Sequence, residues 1–348
     1  MSLANTEHVD SEEPVAPNGA ASLQPQPPGR RLKGLAERNA LLLLLLAVVA
    51  FFAVYPKSSE VFLSQANMSV LLGNQSVVAL LALAAILPLV TGYFDFSLGA
   101  ISAVSTVLAA GLMSFHQVPL AVAAVVSIAV GAAIGAINGL LVTRFGLNSF
   151  VITLGMATLL GGLVQWYTGG LAITTGIDPA LPRFGGSTWL GVPRVVFVVA
   201  VVTVVLWYLM AQTPFGRSLY AIGSNPRSAR LVGVRVNRSV WTTFVLAGAL
   251  AGVAGILQLA RTGSATADNG TNLLFPALAA AFLGATSVVP GFFNPIGTII
   301  GVLFVSVSVS GLTLSGASSW VTPVFNGTAL IVAVSLSRYL GRHHVVPS

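Results

Sequence analysis

Ten apolar stretches limit what this chain can become. They run at about 40–55, 68–90, 97–113, 118–142, 148–168, 194–211, 240–259, 271–289, 294–312 and 320–336. Most have the roughly 17–25 residues that a helix needs to cross a hydrocarbon layer of about 30 Å. No water reaches the backbone in such a layer, so each stretch is expected as a helix that satisfies its own hydrogen bonds. Only 7% of residues are charged and 55% are hydrophobic, against about 25% charged in an ordinary globular domain, which excludes a soluble fold. The expected fold class is an all-α polytopic membrane protein, a compact bundle of about ten transmembrane helices.

Ten spans put both ends on one side. With the N-terminus in the cytoplasm, the inner segments hold Arg30, Arg31, Lys33, Arg38, Arg144, Arg217, Arg227, Arg230, Arg235, Arg238, Arg338 and Arg342, and the outer ones hold Lys57, Arg183, Arg194 and Arg261. Twelve against four is the asymmetry of cytoplasmic loops. The net charge of +7 therefore reports topology and membrane lipid, with no nucleic acid implied. Residues 1–38 read as a disordered cytoplasmic tail rich in Pro, Ser and Gln, 39–340 as the membrane domain with a cytoplasmic loop at 212–239, and 341–348 as a short cytoplasmic tail. The first apolar run reads as an uncleaved anchor.

Several chemistries are disfavoured at once. The only lysines, Lys33 and Lys57, follow no Gly-x-x-x-x-Gly, so the chain has no phosphate-binding loop and any ATPase is on another chain. His8, His116, His343 and His344 lie outside the spans, leaving no intramembrane Ser–His pair or metal site. Asp95 is the one carboxylate near a span and off the outer loops, so neither paired carboxylates nor a proton relay is evident. There is no cysteine, hence no disulfide. An intramembrane enzyme is a poor reading, and a self-sufficient secondary transporter, which usually needs buried carboxylates, is the weaker alternative to a partnered one.

Within the spans, Gly131, Gly135 and Gly139, Gly248 with Gly252, and Gly297 with Gly301 repeat at four-residue spacing, the pattern of close helix packing in lipid. Asn74, Gln75, Asn138, Gln165 and Asn326 either hydrogen-bond between helices or line a path for a hydroxylated solute. Trp166 and Tyr167 fit an interfacial aromatic belt or a stacking surface for a sugar ring. Gly92, Asp95, Ser97 and Gly99 lie at a break between apolar runs, where Asp95 or Ser97 would cap the next helix or form a joint that positions it.

The polar island from Thr213 to Ser239 is the sharpest signal. Asn225 suits a helix cap, Pro226 a first turn and Gly233 an end at positive φ, which predicts one short helix from Pro226 to Val232. Arg227 and Arg230, three apart, share a face, and Ala229 is expected at the contact with a partner. So short a helix is unstable alone, and either the bundle or a partner must hold it.

Three segments together resemble the permease subunits of ribose-type ABC importers. Thr91 to Ala100 is similar to the family's Gly-x-Asp-Leu-Ser-Val-Gly-Ala signature, with Phe94, Phe96 and Leu98 at apolar positions. Phe145 to Met156 resembles the family's approach to its fifth span, with Asn148 where Pro is more usual. Thr213 to Arg217, Tyr220 to Asn225 and Ala229 to Gly233 resemble the loop that docks on the ATP-binding subunit. Similarity continues through Leu283 to Thr286 and Phe293 to Thr298, and covers roughly residues 60–337. The resemblance implies a multi-pass protein of the bacterial inner membrane that forms the path for a sugar or similar small polar solute. It further implies two permeases (a homodimer or close paralogues), two ATP-binding subunits carrying ATP and Mg, and one extracytoplasmic solute-binding protein. The coupling residues would be Arg217, Gly223, Asn225, Pro226, Arg227, Ala229, Arg230 and Gly233. Ten spans also divide into two sets of five, an odd number that would invert one half relative to the other.

Overall fold

The computed structural model describes residues 28–266 and 270–343, with side chains over 39–266, 270 and 272–335. Of the tail expected over 1–38, residues 1–27 lie outside that range, as do the last five residues of the chain. Contacts separate Met1–Ala36, of which the opening turns of the first helix are described, from Glu37–Ser348. The helices are α1 (Pro28–Val54), α2 (Ser59–Phe62), α3 (Gln65–Val90), α4 (Leu98–His116), α5 (Leu120–Arg144), α6 (Ser149–Thr168) and α7 (Ala180–Gly186). A two-stranded hairpin follows, β1 (Thr188–Trp189) and β2 (Val192–Pro193). Then come α8 (Arg194–Gln212), α9 (Pro214–Ser224), α10 (Pro226–Leu231), α11 (Val236–Thr262), a 3-10 turn at Thr271–Leu273, α12 (Leu274–Gly284), α13 (Pro295–Leu314) and α14 (Val321–His343).

Among the described residues, α3, α4, α5, α6, α8, α11 and α13 are long and apolar enough to cross a membrane. Three shorter apolar helices, Asn39–Val54, Leu274–Gly284 and Val321–Ser335, fall on the other three expected spans. Two boundaries depart from expectation. α1 starts at Pro28, inside the stretch read as disordered, because 30–37 is built of Arg, Leu, Lys, Ala and Glu, all strong helix formers apart from one Gly. The span expected at 271–289 is a helix of only 11 residues. Its apolar score includes Val288 and Val289, which lie in a turn: Val288 has φ +64°, and Asn294 Nδ2 holds the turn by donating to Ser287 O at 3.1 Å.

Side-chain caps open three of the long helices. Ser64 accepts from Asn67 N at 3.2 Å to open α3. Asn148 accepts from Phe150 N at 2.9 Å to open α6, and Asn294 accepts from Gly297 N at 2.7 Å to open α13. Each side-chain oxygen replaces a helical partner that the first turn lacks.

α3 runs through the centre. From Val77 to Val90 it is apolar on every face, and Leu80 through Leu87 are at most 1% exposed, as expected of a stretch with no polar stripe to offer solvent. The packing around it is crossed. α4 packs on α5 and α6, and α12 on α13 and α14, while α11 packs against α4 and α5 and α3 against α12 and α13. The glycine ladders lie at two of these seams. A Cβ on Gly131 would sit 2.6 Å from the Gly248 carbonyl oxygen between α5 and α11, and one on Gly284 would sit 2.5 Å from the Gly297 carbonyl oxygen between α12 and α13. Small residues here permit backbone contact, which is packing and not chemistry. α6 and α8 are mostly exposed and apolar.

Candidate functional site: the α9–α10 elbow and the joint beside it

The polar island folds as two helices where one was expected. Thr213 caps α9, with its hydroxyl accepting from Gly216 N at 3.4 Å and Pro214 in the first turn. Asn225 ends α9 and opens α10, its Oδ1 accepting from Arg227 N at 3.0 Å and Ser228 N at 3.1 Å. Pro226 takes the first turn of α10, and Gly233 follows its end at φ +85°, a conformation that costs an L side chain strain. The signal for α9 was present in Thr213-Pro214, a cap followed by a first-turn proline.

The elbow is held from below. Ile222 at 0% exposure and Ala229 at 3% pack with Val142, Val236, Val240 and Phe244. Ala229, expected at the partner contact, therefore faces the bundle, because in so short a helix its one small apolar side chain is the piece that can be buried. The outward positions are different. Arg217, Arg227, Arg230, Arg235 and Arg238 are all exposed, and beside them Leu231 is 89% and Val232 79% exposed. Two adjacent aliphatic side chains are thus left uncovered by the rest of the chain amid arginines. Arg230 donates to Asn237 Oδ1 at 3.4 Å, and Asn237 Nδ2 donates to Thr143 O at 3.2 Å, which ties α10 to the ends of α11 and α5.

α9 touches the joint directly. Gly223 lies so close to the C-terminal end of α3 that a Cβ there would overlap the Val90 carbonyl oxygen. Tyr220 Oη donates to Phe293 O at 2.8 Å, the Phe293 ring packs on Phe282 at 5.2 Å, and Phe282 stacks on Phe94 of the joint at 6.2 Å. From the other side, Tyr93 packs against Phe244 at 6.5 Å. Sequence reading missed Tyr220, Phe244 and Phe282, whose role depends on contacts distant along the chain.

Within the joint, Asp95 Oδ1 accepts from Ser97 N at 2.9 Å and from Ser97 Oγ at 2.6 Å, and Asn138 Nδ2 donates to Ser97 Oγ at 2.8 Å. Asp95 thus holds the turn that leads into α4, where the N-cap residue Ser97 makes no side-chain capping bond and is linked to α5 through Asn138 instead. Phe96 N donates to Thr153 Oγ1 at 2.9 Å, which adds α6. Asp95 Oδ2 and Asn138 Oδ1 have no partner. Burial pushes the Asp95 carboxyl up to about 6, partly offset by the bonds from Ser97. Gly92 adopts φ +84°, and Gly99 lets the Gly270 carbonyl approach to 2.7 Å of where a Cβ would be.

The intramembrane polar residues separate. Gln75 and Asn326 line one cavity of about 600 Å³. Asn74 Oδ1 accepts from Arg261 at 2.9 Å, and Arg261 also donates to Gly185 O at 2.7 Å. Asn138 belongs to the joint, and Gln165 is exposed near the end of α6 beside Trp166, which is 80% exposed as at an interfacial belt.

Residues 67–334 match the family model described as branched-chain amino acid transport system / permease component. The chain is 34% identical over 296 residues to the ribose import permease protein RbsC of Escherichia coli (strain K12), a match that covers 83% of this chain and 91% of that protein. It is 30% identical over 306 residues to the D-allose transport system permease protein AlsC of the same strain, covering 88% and 93%. It is 31% identical over 314 residues to the autoinducer 2 import system permease protein LsrD of Enterobacter sp. (strain 638), covering 88% and 94%. A helical membrane bundle without a phosphate loop, matched along most of its length by these permeases, belongs to that permease-component family and is the permease subunit of an ABC importer.

Proposed function

We propose that this chain works as one of two permease copies in the bacterial inner membrane, moving a sugar or similar small polar solute inward from an extracytoplasmic binding protein. ATP and Mg are held by a separate ATP-binding subunit, and the α9–α10 elbow is where that subunit docks. The observation that carries the reading is the elbow's two-sidedness. Ile222 and Ala229 fasten it to the bundle, while Leu231, Val232 and the arginines are left outward. A push on the outward face reaches α3 through Gly223 and α4 through Phe94, so the elbow is built to transmit motion to spans on both sides.

The finer topology follows the same reading: ten spans, both termini cytoplasmic, and two inverted five-helix halves. The crossed packing supports the halves, since the pairs α4–α5, α4–α6 and α5–α6 in the first have counterparts in α12–α13, α12–α14 and α13–α14 in the second.

The test is hydrolysis. The purified chain should neither bind nor hydrolyse ATP, and adding the ATP-binding subunit should give hydrolysis that solute-loaded binding protein stimulates. ATPase activity in a partner-free preparation with a clean mass spectrum would overturn the reading.

A further inference from the structure

The cavity shared by Gln75 and Asn326 lies between α3, the turn before α12, α13 and α14. Asn272, Ser306 and Thr322 line it too, and among the described residues no charged side chain does. Its volume, about 600 Å³, falls within the ~300–1,000 Å³ of small-molecule sites.

What distinguishes the cavity is unused hydrogen-bonding capacity. Asn326 Oδ1 is buried without a partner, and among the described residues the side chains of Gln75, Asn272 and Thr322 form no hydrogen bond. Ser306 Oγ donates to Val302 O at 2.5 Å, which leaves its lone pairs free. Thr322 and Asn326 are four apart on one face of α14, so they point into the cavity together. Three amides and two hydroxyls offer both donors and acceptors, and a buried polar atom such as Asn326 Oδ1 ordinarily has a partner. The rest of the wall is apolar, with Phe275 and Leu330 facing the same space.

We propose that this cavity binds an uncharged, hydroxyl-rich solute weakly on its way across the bilayer, with Asn326 as the central hydrogen-bonding residue. The proposal rests on the permease reading and adds a site and a selectivity to it. A ring bearing hydroxyls presents edges that match the amides and a C–H face that matches Phe275. A phosphorylated or otherwise charged solute finds no counter-charge among the described wall residues and would lose its hydration without return. Gln75 lies in the N-terminal half of α3, Asn272 just before α12, Thr322 and Asn326 at the start of α14, and Ser306 in the C-terminal half of α13. In the proposed topology every one of these places is in the outer half of the membrane, where a solute released by the binding protein arrives first.

Saturation-transfer NMR on the full chain in lipid nanodiscs tests this, with D-ribose and D-allose as neutral probes and ribose 5-phosphate as the charged one. Both neutral sugars should give signals and the phosphate none. Asn326→Leu should weaken sugar binding about five-fold, the effect of one neutral hydrogen bond, while Gln165→Leu, outside the cavity, should leave it unchanged. Thermal unfolding of each variant checks that the fold is intact, and Thr322→Val provides a second wall substitution with the same expected direction. Absent sugar signals, equal signals in Asn326→Leu, or equal binding of the phosphate would overturn the proposal. So would a phospholipid that the wild type retains through delipidation and Asn326→Leu releases. Co-purification of the ATP-binding subunit with the same variants separates the outcomes: binding of that subunit without sugar signals defeats the cavity proposal alone.

Discussion

Replacing Leu231 and Val232 by serine should separate docking from folding. The two side chains are 89% and 79% exposed in the chain alone, so their loss should change its own stability by no more than about 0.5 kcal/mol. Full burial of a Leu or Val is worth about 1.5–3 kcal/mol. If the ATP-binding subunit covers both, the double variant should lose about 3 kcal/mol of docking energy, roughly a hundred-fold in Kd. Titrating the ATP-binding subunit onto nanodisc-embedded wild type and variant, with thermal unfolding of each alone, measures both quantities. Equal affinity at equal stability would refute the reasoning and leave the arginines as topology signals near anionic lipid. Ala229→Glu is the instructive contrast. Its charge would enter the cluster of Ile222, Val236 and Phe244, so it should loosen the elbow itself by several kcal/mol and abolish docking for a different reason.

Three further outcomes follow from the same geometry. Asn225→Ala removes the acceptor for Arg227 N and Ser228 N and should cost α10 about 1 kcal/mol, read as a roughly five-fold faster amide exchange over 227–231. Asp95 has a folded-state carboxyl raised to about 6 from 3.8, so its contribution is fully present below about pH 4 and lost as pH rises through 6; thermal unfolding should show a decline over that window that Asp95→Asn flattens. In this cysteine-free chain, a cysteine at Ser224 should resist a membrane-impermeant thiol reagent in intact cells while one at Thr188 reacts, and the reverse pattern would invert the topology.

Much of the fold was legible because lipid imposes a single rule: a stretch apolar all round must be a helix. The rule fails where apolar residues serve a turn, as at Val288 and Val289, because hydropathy counts side chains and ignores the backbone that Asn294 ties to Ser287 O. Caps were legible because Asn225, Pro226 and Gly233 act on neighbouring residues. Burial within the elbow was not: Ala229 and Leu231 are both apolar residues of one short helix, and only the positions of Val142 and Phe244, in two other helices, decide which faces inward. The joint was half legible. Asp95 and Ser97 announced a break, but the bond that Asn138 makes to Ser97 joins residues 41 apart, and no local pattern reports it. The cavity wall likewise gathers Gln75 and Asn326 from opposite ends of the chain.

The most direct measurement is solute uptake into proteoliposomes that contain this chain, the ATP-binding subunit and the solute-binding protein, with ATP supplied on the side of the elbow. Uptake should require all three proteins and hydrolysable ATP, and should fall to background with Leu231→Ser and Val232→Ser combined. Uptake by the chain alone under a proton or sodium gradient, or undiminished ATP-driven uptake by the double variant, would contradict the account.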